Sequence, residues 1–311
     1  MVTGFMKKIV MIGATGFLGQ AICSILSESY EVVVVSRSAE KARKSLPPSL
    51  RIVECDYRNL ESISFEFEGC DAVINLAGDN ISEGIWTARK KEIMRKSRVD
   101  TTHSLVKVLT GLSSKPRKLL QASAVGIYGD RKDDVLDEES TAGRGFLADL
   151  VHDWEKSASG AEPLTEVVYM RIGIVIGPGG GALEKIVPVF KAFAGGHLGS
   201  GDQYMSVIHI ADITGIVSTL LKSELKGPVN LVSPKPVTSR HFFKALGEVL
   251  DRPSWFHVPG FLLKLAPGKM GEELFLASQR VVSNRLSSEL GYEFKYADVS
   301  DALQDVVQTR S

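Results

Sequence analysis

The 311-residue sequence is poor in the features that mark secreted, metal-binding and membrane proteins. It has only three cysteines, an odd number without metal-ligand spacing, so we expect buried, reduced thiols in a cytoplasmic protein. Its six histidines never stand four residues apart, which excludes a helical zinc motif, and we predict no metal site. No apolar run reaches transmembrane length, and Lys7 and Lys8 interrupt the N-terminal apolar stretch that a secretory signal would need.

An excess of either charge is absent as well, because 37 Lys and Arg residues balance 37 Asp and Glu residues. Such a chain has no global attraction for nucleic acid. A basic cluster opens the helix predicted over residues 86–112, but acidic side chains interrupt it and no aromatic residues are interleaved, which favours a solvated helix face. We therefore expect a small-molecule substrate and no nucleic-acid or membrane partner. The sequence leaves open whether the protein is a monomer or a homodimer.

The chain does have a glycine-rich turn between a buried strand and an amphipathic helix, within residues 7–26. Gly13, Gly16 and Gly19 follow the strand at a spacing of three. Gly13 allows a sharp turn, Gly16 lets the backbone approach a pyrophosphate, and Gly19 lets the helix lie close to the strand. This layout predicts a dinucleotide-binding unit with the pyrophosphate at the helix N-terminus. An ordinary strand-to-helix turn is the alternative.

The next predicted strand, residues 30–37, bears on the choice of dinucleotide. It holds four consecutive valines, as a buried parallel strand does, and it ends where the ribose-reading residue belongs. An NAD site carries Asp or Glu at this place, whereas this chain has Ser36 and Arg37. Because a guanidinium binds a 2′-phosphate through two hydrogen bonds, NADP is favoured over NAD. A solvated arginine at a strand end is the alternative.

Strands and helices alternate along most of the chain, which predicts an α/β fold with a doubly wound parallel sheet. We assign residues 1–235 to a nucleotide-binding Rossmann domain, with substrate-loop insertions around residues 177–206. Prolines punctuate short helices from residue 233 onward, so residues 236–311 form a small, mostly helical C-terminal subdomain. Further strands are predicted at residues 50–56, 69–78, 118–124, 165–172 and 228–232.

Two charged residues and one glycine-rich stretch outside the first turn also bear on the site. Asp56, at the end of the third strand, either accepts a hydrogen bond from an adenine amine or caps the following helix. Arg98 lies where the charged half of the long helix becomes the packed half. The stretch at residues 177–181 lacks the Lys-Ser/Thr ending of a P-loop, and we interpret it as a flexible lead into a helix over residues 182–194.

Three blocks, at residues 13–19, 75–78 and 123–129, together resemble the extended short-chain dehydrogenase/reductases, the NAD-dependent epimerase/dehydratase superfamily. Four further blocks resemble an atypical branch of epimerase-family NADP-dependent oxidoreductases that ends in a domain of unknown function. The resemblance covers nearly the whole chain from Lys7. The blocks typical of the branch are residues 97–102, 153–155, 198–206 and 247–259.

The resemblance implies a set of NADP(H) contacts along the carboxyl edge of the sheet. Arg98 would be a further contact, and Ile174 would lie by the nicotinamide. Leu76, Ala77 and Gly78 would lie beside the adenosine half, and plain packing is the alternative for Leu76 and Ala77. With Asp56 included, the predicted cofactor contacts are Gly13, Thr15, Gly16, Phe17, Leu18, Ser36, Arg37, Asp56, Leu76, Ala77, Gly78, Arg98 and Ile174.

The chain departs from the superfamily at the Tyr-x-x-x-Lys pair, in which the lysine lowers the pKa of the proton-transferring tyrosine. Ser123 fits the family's active-site serine. On the helix predicted over residues 145–158, Leu147 and Val151 occupy the Tyr and Lys places, and neither can transfer a proton. Tyr128 and Lys132 have the right spacing but stand in a polar loop, which does not hold residues i and i+4 on one face.

Two functions follow from this departure. The first is an NADP-dependent oxidoreductase or epimerase acting on an unknown small carbonyl or sugar-like substrate, with Ser123 orienting the substrate and Tyr128, Asp149 or His152 donating the proton. Of these we predict Ser123 and Tyr128 as the catalytic residues. The second is a non-catalytic NADPH-binding or sensing protein, since an intact cofactor site beside a missing pair fits that role.

Overall fold

A computed structural model describes residues 6–258, 260 and 269–309. Parts of the predicted C-terminal subdomain therefore lie outside the described residues, and so does position 259, the last residue of the predicted block 247–259. The strands, in chain order, are β1 (Lys8–Ile12), β2 (Glu31–Ser36), β3 (Arg51–Glu54), β4 (Ala72–Asn75), β5 (Lys118–Ala124), β6 (Val135–Leu136), β7 (Glu166–Ile172), β8 (Ile174–Gly177), β9 (Gly180–Gly181), β10 (Gly196–Leu198), β11 (Tyr204–Met205), β12 (Val207–His209), β13 (Gly227–Leu231), β14 (Val237–Thr238), β15 (Phe256–Val258) and β16 (Arg280–Val281).

The α-helices within the described ranges vary from one turn to 24 residues. They are α1 (Phe17–Leu26), α2 (Ala39–Ser45), α3 (Ser64–Phe67), α4 (Ala88–Gly111), α5 (Phe146–Ala158), α6 (Leu183–Lys191), α7 (Ile210–Leu220), α8 (Ser239–Leu250), α9 (Lys269–Gly271), α10 (Asn284–Ser288) and α11 (Val299–Gln308). Shorter 3-10 segments are Tyr57–Ile63, Val125–Tyr128 and Ser159–Ala161, and a π-helical turn spans Glu272–Leu276.

The main sheet has seven strands in the order β13-β7-β5-β4-β1-β2-β3, and every pairing in it is parallel. The predicted doubly wound α/β fold is therefore confirmed. The strand order reverses on either side of β1, whose end at Ile12 is in register with Asn75 of β4. In open sheets of this kind the ligand crevice lies outside the carboxyl ends of the strands at this switch point.

Both faces of the sheet are covered, as the apolar strands require. Successive side chains of a strand point to opposite faces, so the side chains of β1 pack into two apolar cores, one on each face of the sheet. Ile9 and Met11 contribute to one apolar cluster, whereas Val10 and Ile12 contribute to the other, and all four are completely buried. Since β1 is fixed from both sides, the turn that follows it has a fixed position.

The C-terminal part of the chain is fastened to the sheet domain by a buried carboxylate on α7. Asp212 is fully buried and accepts hydrogen bonds from the Tyr292 hydroxyl (3.1 Å) and from the backbone N–H groups of Lys295 (2.7 Å) and Tyr296 (3.1 Å). One side chain thus satisfies three donors of the segment that leads into α11. Within the described part of the chain, no helix is both long enough and apolar enough to span a membrane.

We expect Asp212→Ala to lower the free energy of unfolding by about 3 kcal/mol, because it leaves buried donors without an acceptor. Urea denaturation would measure the change. Asp301→Ala, at an exposed position in the first turn of α11, is the control and should shift stability by no more than about 0.5 kcal/mol. Equal stability of the two variants would show that Asp212 does not hold the C-terminal segment.

Candidate cofactor and active site

The turn after β1 is shaped by two close backbone approaches. Gly13 has a φ of +84°, and a Cβ there would lie 2.6 Å from the carbonyl carbon of Leu76. A Cβ on Gly19 would lie 2.6 Å from the Cα of Ala14. A Cβ on Gly16, by contrast, would meet only the Gly13 carbonyl oxygen, at 3.7 Å. The turn is therefore closely packed on the sides that meet Leu76, which follows β4, and α1, whereas its side at Gly16 is open.

The open side of this turn is the N-terminus of α1. Gly16 is the N-cap residue, no side chain caps the helix, and its first turn carries no acidic residue. Thr15 lies in the turn, where its carbonyl accepts a hydrogen bond from Gln20 Nε2 at 2.9 Å. Leu18 is half-buried against the core. Uncapped N–H groups at the positive end of a ten-residue helix suit an anion such as a pyrophosphate.

Phe17, the first residue of α1, directs its ring into the hairpin of β8 and β9. A Cβ on Gly177, Gly180 or Gly181 would lie between 2.5 and 3.1 Å from that ring or from Ile210. The interpretation of residues 177–181 as a flexible lead is therefore wrong: these residues form an antiparallel hairpin whose glycines make room for the ring. The hairpin holds the start of α1 against β8, whose first residue, Ile174, is half-buried.

Arg37 follows β2 and lines a cleft of about 530 Å³ with Glu54, Cys55, Asp56 and Arg58. Its guanidinium carbon lies 5.5 Å from the centroid of the Tyr57 ring. Among the described residues Arg37 has no ion-pair partner. Its cation is therefore available to a ligand in this cleft.

Ser36, just before Arg37, is buried and engaged in the local turn. Its hydroxyl donates to the Ser38 carbonyl oxygen at 3.1 Å and accepts from the Ser38 N–H at 3.3 Å. Ser38 in turn caps α2. The side chain of Ser36 thus shapes the loop that presents Arg37.

Asp56 caps the 3-10 segment Tyr57–Ile63, which is one of its two predicted roles. Its Oδ1 accepts from the Arg58 N–H at 3.0 Å, and its Oδ2 lies 2.6 Å from Arg58 Nη2. Hydrogen bonds from the Arg58 side chain and backbone lower the pKa of Asp56 to about 2. Since Asp56 also lines the cleft of Arg37, contact with an adenine amine stays a prediction.

Arg98 reaches from α4 to the carboxyl end of β4. A Cβ on Gly78 would lie 2.9 Å from the guanidinium carbon, which also sits 5.0 Å from the Trp154 ring centroid. The guanidinium donates to the Met94 carbonyl oxygen at 3.2 Å, and burial lowers the pKa of Arg98 to about 10. No described carboxylate forms an ion pair with it, so a partly buried cation stands beside the exposed Gly78.

Leu76 and Ala77 line the same edge of the sheet. Leu76 is half-buried against the core, and Ala77 is buried with its N–H donated to Asn75 Oδ1 at 3.2 Å. Both residues therefore have packing roles, and the structure also places their backbone directly against Gly13.

Ser123, at the carboxyl end of β5, is tied to a buried ion pair. Its hydroxyl donates to Glu155 Oε1 at 2.5 Å, and Arg171 donates to both Glu155 oxygens at 2.9 and 3.0 Å. Ser123 is only 3% exposed. Its hydrogen bond to Glu155 leaves the hydroxyl proton unavailable for orienting a substrate unless that bond is exchanged.

Tyr128 is completely buried, although the sequence suggests a polar loop at this position. Its hydroxyl lies 2.8 Å from Asn230 Oδ1, 2.9 Å from the Asp137 carbonyl oxygen and 3.0 Å from Arg171 Nη1. Burial raises the pKa of Tyr128. This geometry gives the phenol no open path to a substrate and does not support the predicted proton transfer. Lys132 is exposed, with a φ of +52°, so the pair shares no helix face.

Leu147 and Val151 lie on the face of α5 that meets the segment after Ser123. A Cβ on Gly126 would lie 3.6 Å from Leu147 Cβ and 4.0 Å from Val151 Cγ2. Glu155 stands one turn further along the same face and reaches Ser123. The first two turns of this face are therefore apolar. The other candidate donors on α5, Asp149 and His152, are exposed.

The comparisons with known proteins agree with this geometry. Residues 9–231 match the family described as the NAD dependent epimerase/dehydratase family, and residues 258–306 match a domain of unknown function, DUF1731.

The chain belongs to the NAD dependent epimerase/dehydratase family.

The predicted resemblance is thereby confirmed, including its C-terminal domain of unknown function. The chain is 37% identical over 305 residues to the chloroplastic epimerase family protein SDR39U1 homolog of Arabidopsis thaliana, covering 95% of this chain and 85% of that protein. It is 32% identical over 316 residues to the epimerase family protein YfhF of Bacillus subtilis, covering 97% and 99%. The crystal structure of human epimerase family protein SDR39U1 with NADPH superposes with a TM-score of 0.87, at 28% identity, covering 97% and 99%.

One contact that shapes the site, between Glu273 and the start of α5, is not predicted from the sequence. Glu273, in the π-helical turn, accepts hydrogen bonds from the N–H groups of Phe146 (3.0 Å) and Leu147 (2.8 Å). It therefore caps α5, whose own N-cap residue, Gly145, has no side chain. No sequence pattern relates these residues, because 126 positions separate Leu147 from Glu273. The cap joins the C-terminal part of the chain to the helix that carries Leu147 and Val151.

We expect Gly180→Ala to destabilise the protein by about 1–3 kcal/mol, because the new methyl group would lie 2.5 Å from the Phe17 ring. Thermal and urea denaturation would measure the loss. Gly111→Ala is the matched control, since a Cβ there has no neighbour within 4 Å and lies at the end of a helix. If the two substitutions behaved alike, the hairpin would not be closed on Phe17.

Proposed function

We propose that this protein binds NADP(H) at the carboxyl edge of the main sheet and acts as an oxidoreductase on a small carbonyl or sugar-like substrate without a Tyr-Lys pair. The observation that carries the proposal is Arg37, a cation without an ion-pair partner among the described residues, at the place where an NAD site has a carboxylate. The human relative that was crystallised with NADPH supports it.

The residues around the turn fit the dinucleotide from one end to the other. The open N-terminus of α1, at Gly16, Phe17 and Leu18, would bind the pyrophosphate through backbone N–H groups. The guanidinium of Arg98 would add a charge-assisted contact beside Gly78. An anion there would offset the cost of a partly buried cation.

The remaining predicted contacts distribute along the same edge. Arg37 would bind the 2′-phosphate, presented by the loop that Ser36 shapes, and Asp56 would lie near the adenine. Leu76 and Ala77 would flank the adenosine half, and Ile174 would border the nicotinamide. Gly13 and Thr15 would complete the turn.

When bound, NADPH supplies a hydride. The chain's part would be to hold the reacting carbonyl beside the nicotinamide and exclude water, and positioning alone supplies a large share of such a rate enhancement. Leu147 and Val151 cannot give or take a proton, so a proton would have to come from another group or from solvent. The reaction would therefore lack the general-acid contribution of the usual pair, typically about 10²–10⁴-fold.

A non-catalytic NADPH-binding or sensing role is the second candidate. The specific observation that favours it is the engagement of both predicted catalytic residues: Ser123 with Glu155, and Tyr128 with Arg171 and Asn230. Under this second candidate function, the site would bind NADPH but would not transfer a proton.

We expect NADPH to bind more tightly than NADH, and Arg37→Glu to remove this preference at a cost of about 1–3 kcal/mol in NADPH binding, because it replaces a charge-assisted hydrogen bond by repulsion. Isothermal titration calorimetry of both dinucleotides would measure it. Equal affinities in the unaltered protein would refute the NADP assignment.

A control on the turn separates loss of the 2′-phosphate contact from loss of the whole site. Gly16→Val places a side chain on the open face, and the backbone there (φ −75°, ψ 166°) accepts valine. This variant should stay folded and lose both dinucleotides equally. Unchanged binding would show that the cofactor lies elsewhere.

We expect no appreciable epimerisation of nucleotide sugars, and slow NADPH oxidation with a carbonyl substrate if the protein is an oxidoreductase. Following NADPH absorbance against a panel of aldehydes, ketones and nucleotide sugars would measure this. Turnover with one carbonyl supports the first function, whereas tight NADPH binding with no turnover across the panel supports the second. Rapid nucleotide-sugar turnover would contradict the absence of a working proton-transfer pair.

A further inference from the structure

Tyr57, whose ring lies against Arg37, is not among the proposed cofactor contacts. Tyr57 opens the 3-10 segment after β3, and its ring lies 5.5 Å from the guanidinium carbon of Arg37. A cation over an aromatic face is attracted by the ring's negative charge distribution. An arginine without an ion pair would otherwise sample many rotamers in an open cleft.

Tyr57 is itself held in place at both ends. Its hydroxyl donates to the carbonyl oxygen of Val35, two residues before Arg37, at 3.2 Å. Its half-buried ring packs on one of the two apolar cores that cover the sheet. Burial raises the pKa of Tyr57, so the hydroxyl remains a donor at neutral pH. The ring is therefore a fixed surface at the carboxyl end of β2.

The acids that line the cleft form no ion pair with Arg37, although its charge contributes a little, after Arg58, to the lowered pKa of Asp56. Glu54 Oε2 accepts the N–H of Ala39 at 2.7 Å, and Asp56 is paired with Arg58 through both of its oxygens. Neither carboxylate is within ion-pair distance of Arg37 among the described contacts. The Tyr57 ring is thus the contact that orients this guanidinium while its N–H groups stay available.

We infer that Tyr57 is the positioning residue for NADP preference: its ring holds the Arg37 guanidinium where it meets the 2′-phosphate. This inference rests on the proposed function, because it assumes that Arg37 reads that phosphate. A guanidinium fixed before binding loses less freedom when the ligand arrives, and this preorganisation increases affinity. The gain applies to NADPH alone, because NADH has no phosphate for Arg37 to bind.

The test compares the ratio of the NADH and NADPH dissociation constants in variants of the full chain. We expect Tyr57→Leu to lower this ratio by about threefold to tenfold, the range of a cation–aromatic contact, chiefly through weaker NADPH binding. Tyr57→Phe keeps the ring and should hold the ratio within about twofold. A role of Tyr57 in folding alone would weaken both dinucleotides together and leave the ratio unchanged.

A double-variant cycle identifies which idea fails. If Arg37→Leu does not lower the ratio, the proposed function is wrong. If Arg37→Leu lowers it but Tyr57→Leu does not, the positioning role is overturned alone. In the Arg37→Leu background, adding Tyr57→Leu should leave the ratio where it is, and a further decrease would also overturn the role. Should Tyr57→Leu not fold, as judged by circular dichroism, Tyr57→Met serves in its place with the same expected outcomes, because methionine is also apolar and its unbranched side chain adapts to the space of the ring.

Discussion

The close approach between the turn at Gly13 and the backbone of Leu76 is the constraint on which the rest of the site depends. It fixes the carboxyl ends of β1 and β4 together, where the strand order of the sheet reverses. Because α1 starts four residues after Gly13 and packs closely on the turn at Gly19, this contact also sets the direction of the helix. Phe17 then carries the same constraint to the β8–β9 hairpin, so the turn, the helix and the hairpin form one packed unit.

Two arginines lie at the edge of this packed unit and form no ion pair with a carboxylate among the described residues. Arg98 pays a desolvation cost that lowers its pKa, and Arg37 rests on an aromatic ring. Nearby charges are paired within the protein instead, as Asp56 is with Arg58. A site built this way favours a ligand with two separated anionic groups, which describes a dinucleotide with a pyrophosphate and a 2′-phosphate.

The parts of this arrangement that depend on local pattern could be predicted from the sequence. Glycine spacing and valine runs determine a turn and a buried strand within a few residues, and the long helix, predicted over 86–112, begins at Ala88 and ends at Gly111. The parts that depend on distant partners could not. The hairpin of residues 177–181 needs its glycines because of Phe17. The Tyr128 hydroxyl has partners in Arg171 and Asn230, which are 43 and 102 positions away along the chain.

Dinucleotide binding and proton transfer place different physical requirements on the chain, so the residues for proton transfer can differ while the dinucleotide-binding turn stays the same. Dinucleotide binding relies on backbone close to the sheet edge, which the fold itself demands, so it resists change. In the family pattern, proton transfer relies on two side chains of one helix, and at the places predicted for them on α5, Leu147 and Val151 lie against the segment at Gly126. The Glu155–Arg171 ion pair one turn later satisfies Ser123, so no buried polar group is left without a partner there. Apolar side chains at the two predicted Tyr-Lys places are therefore compatible with this packing, and under the proposed function the chemistry would depend on where the cofactor and a substrate are held.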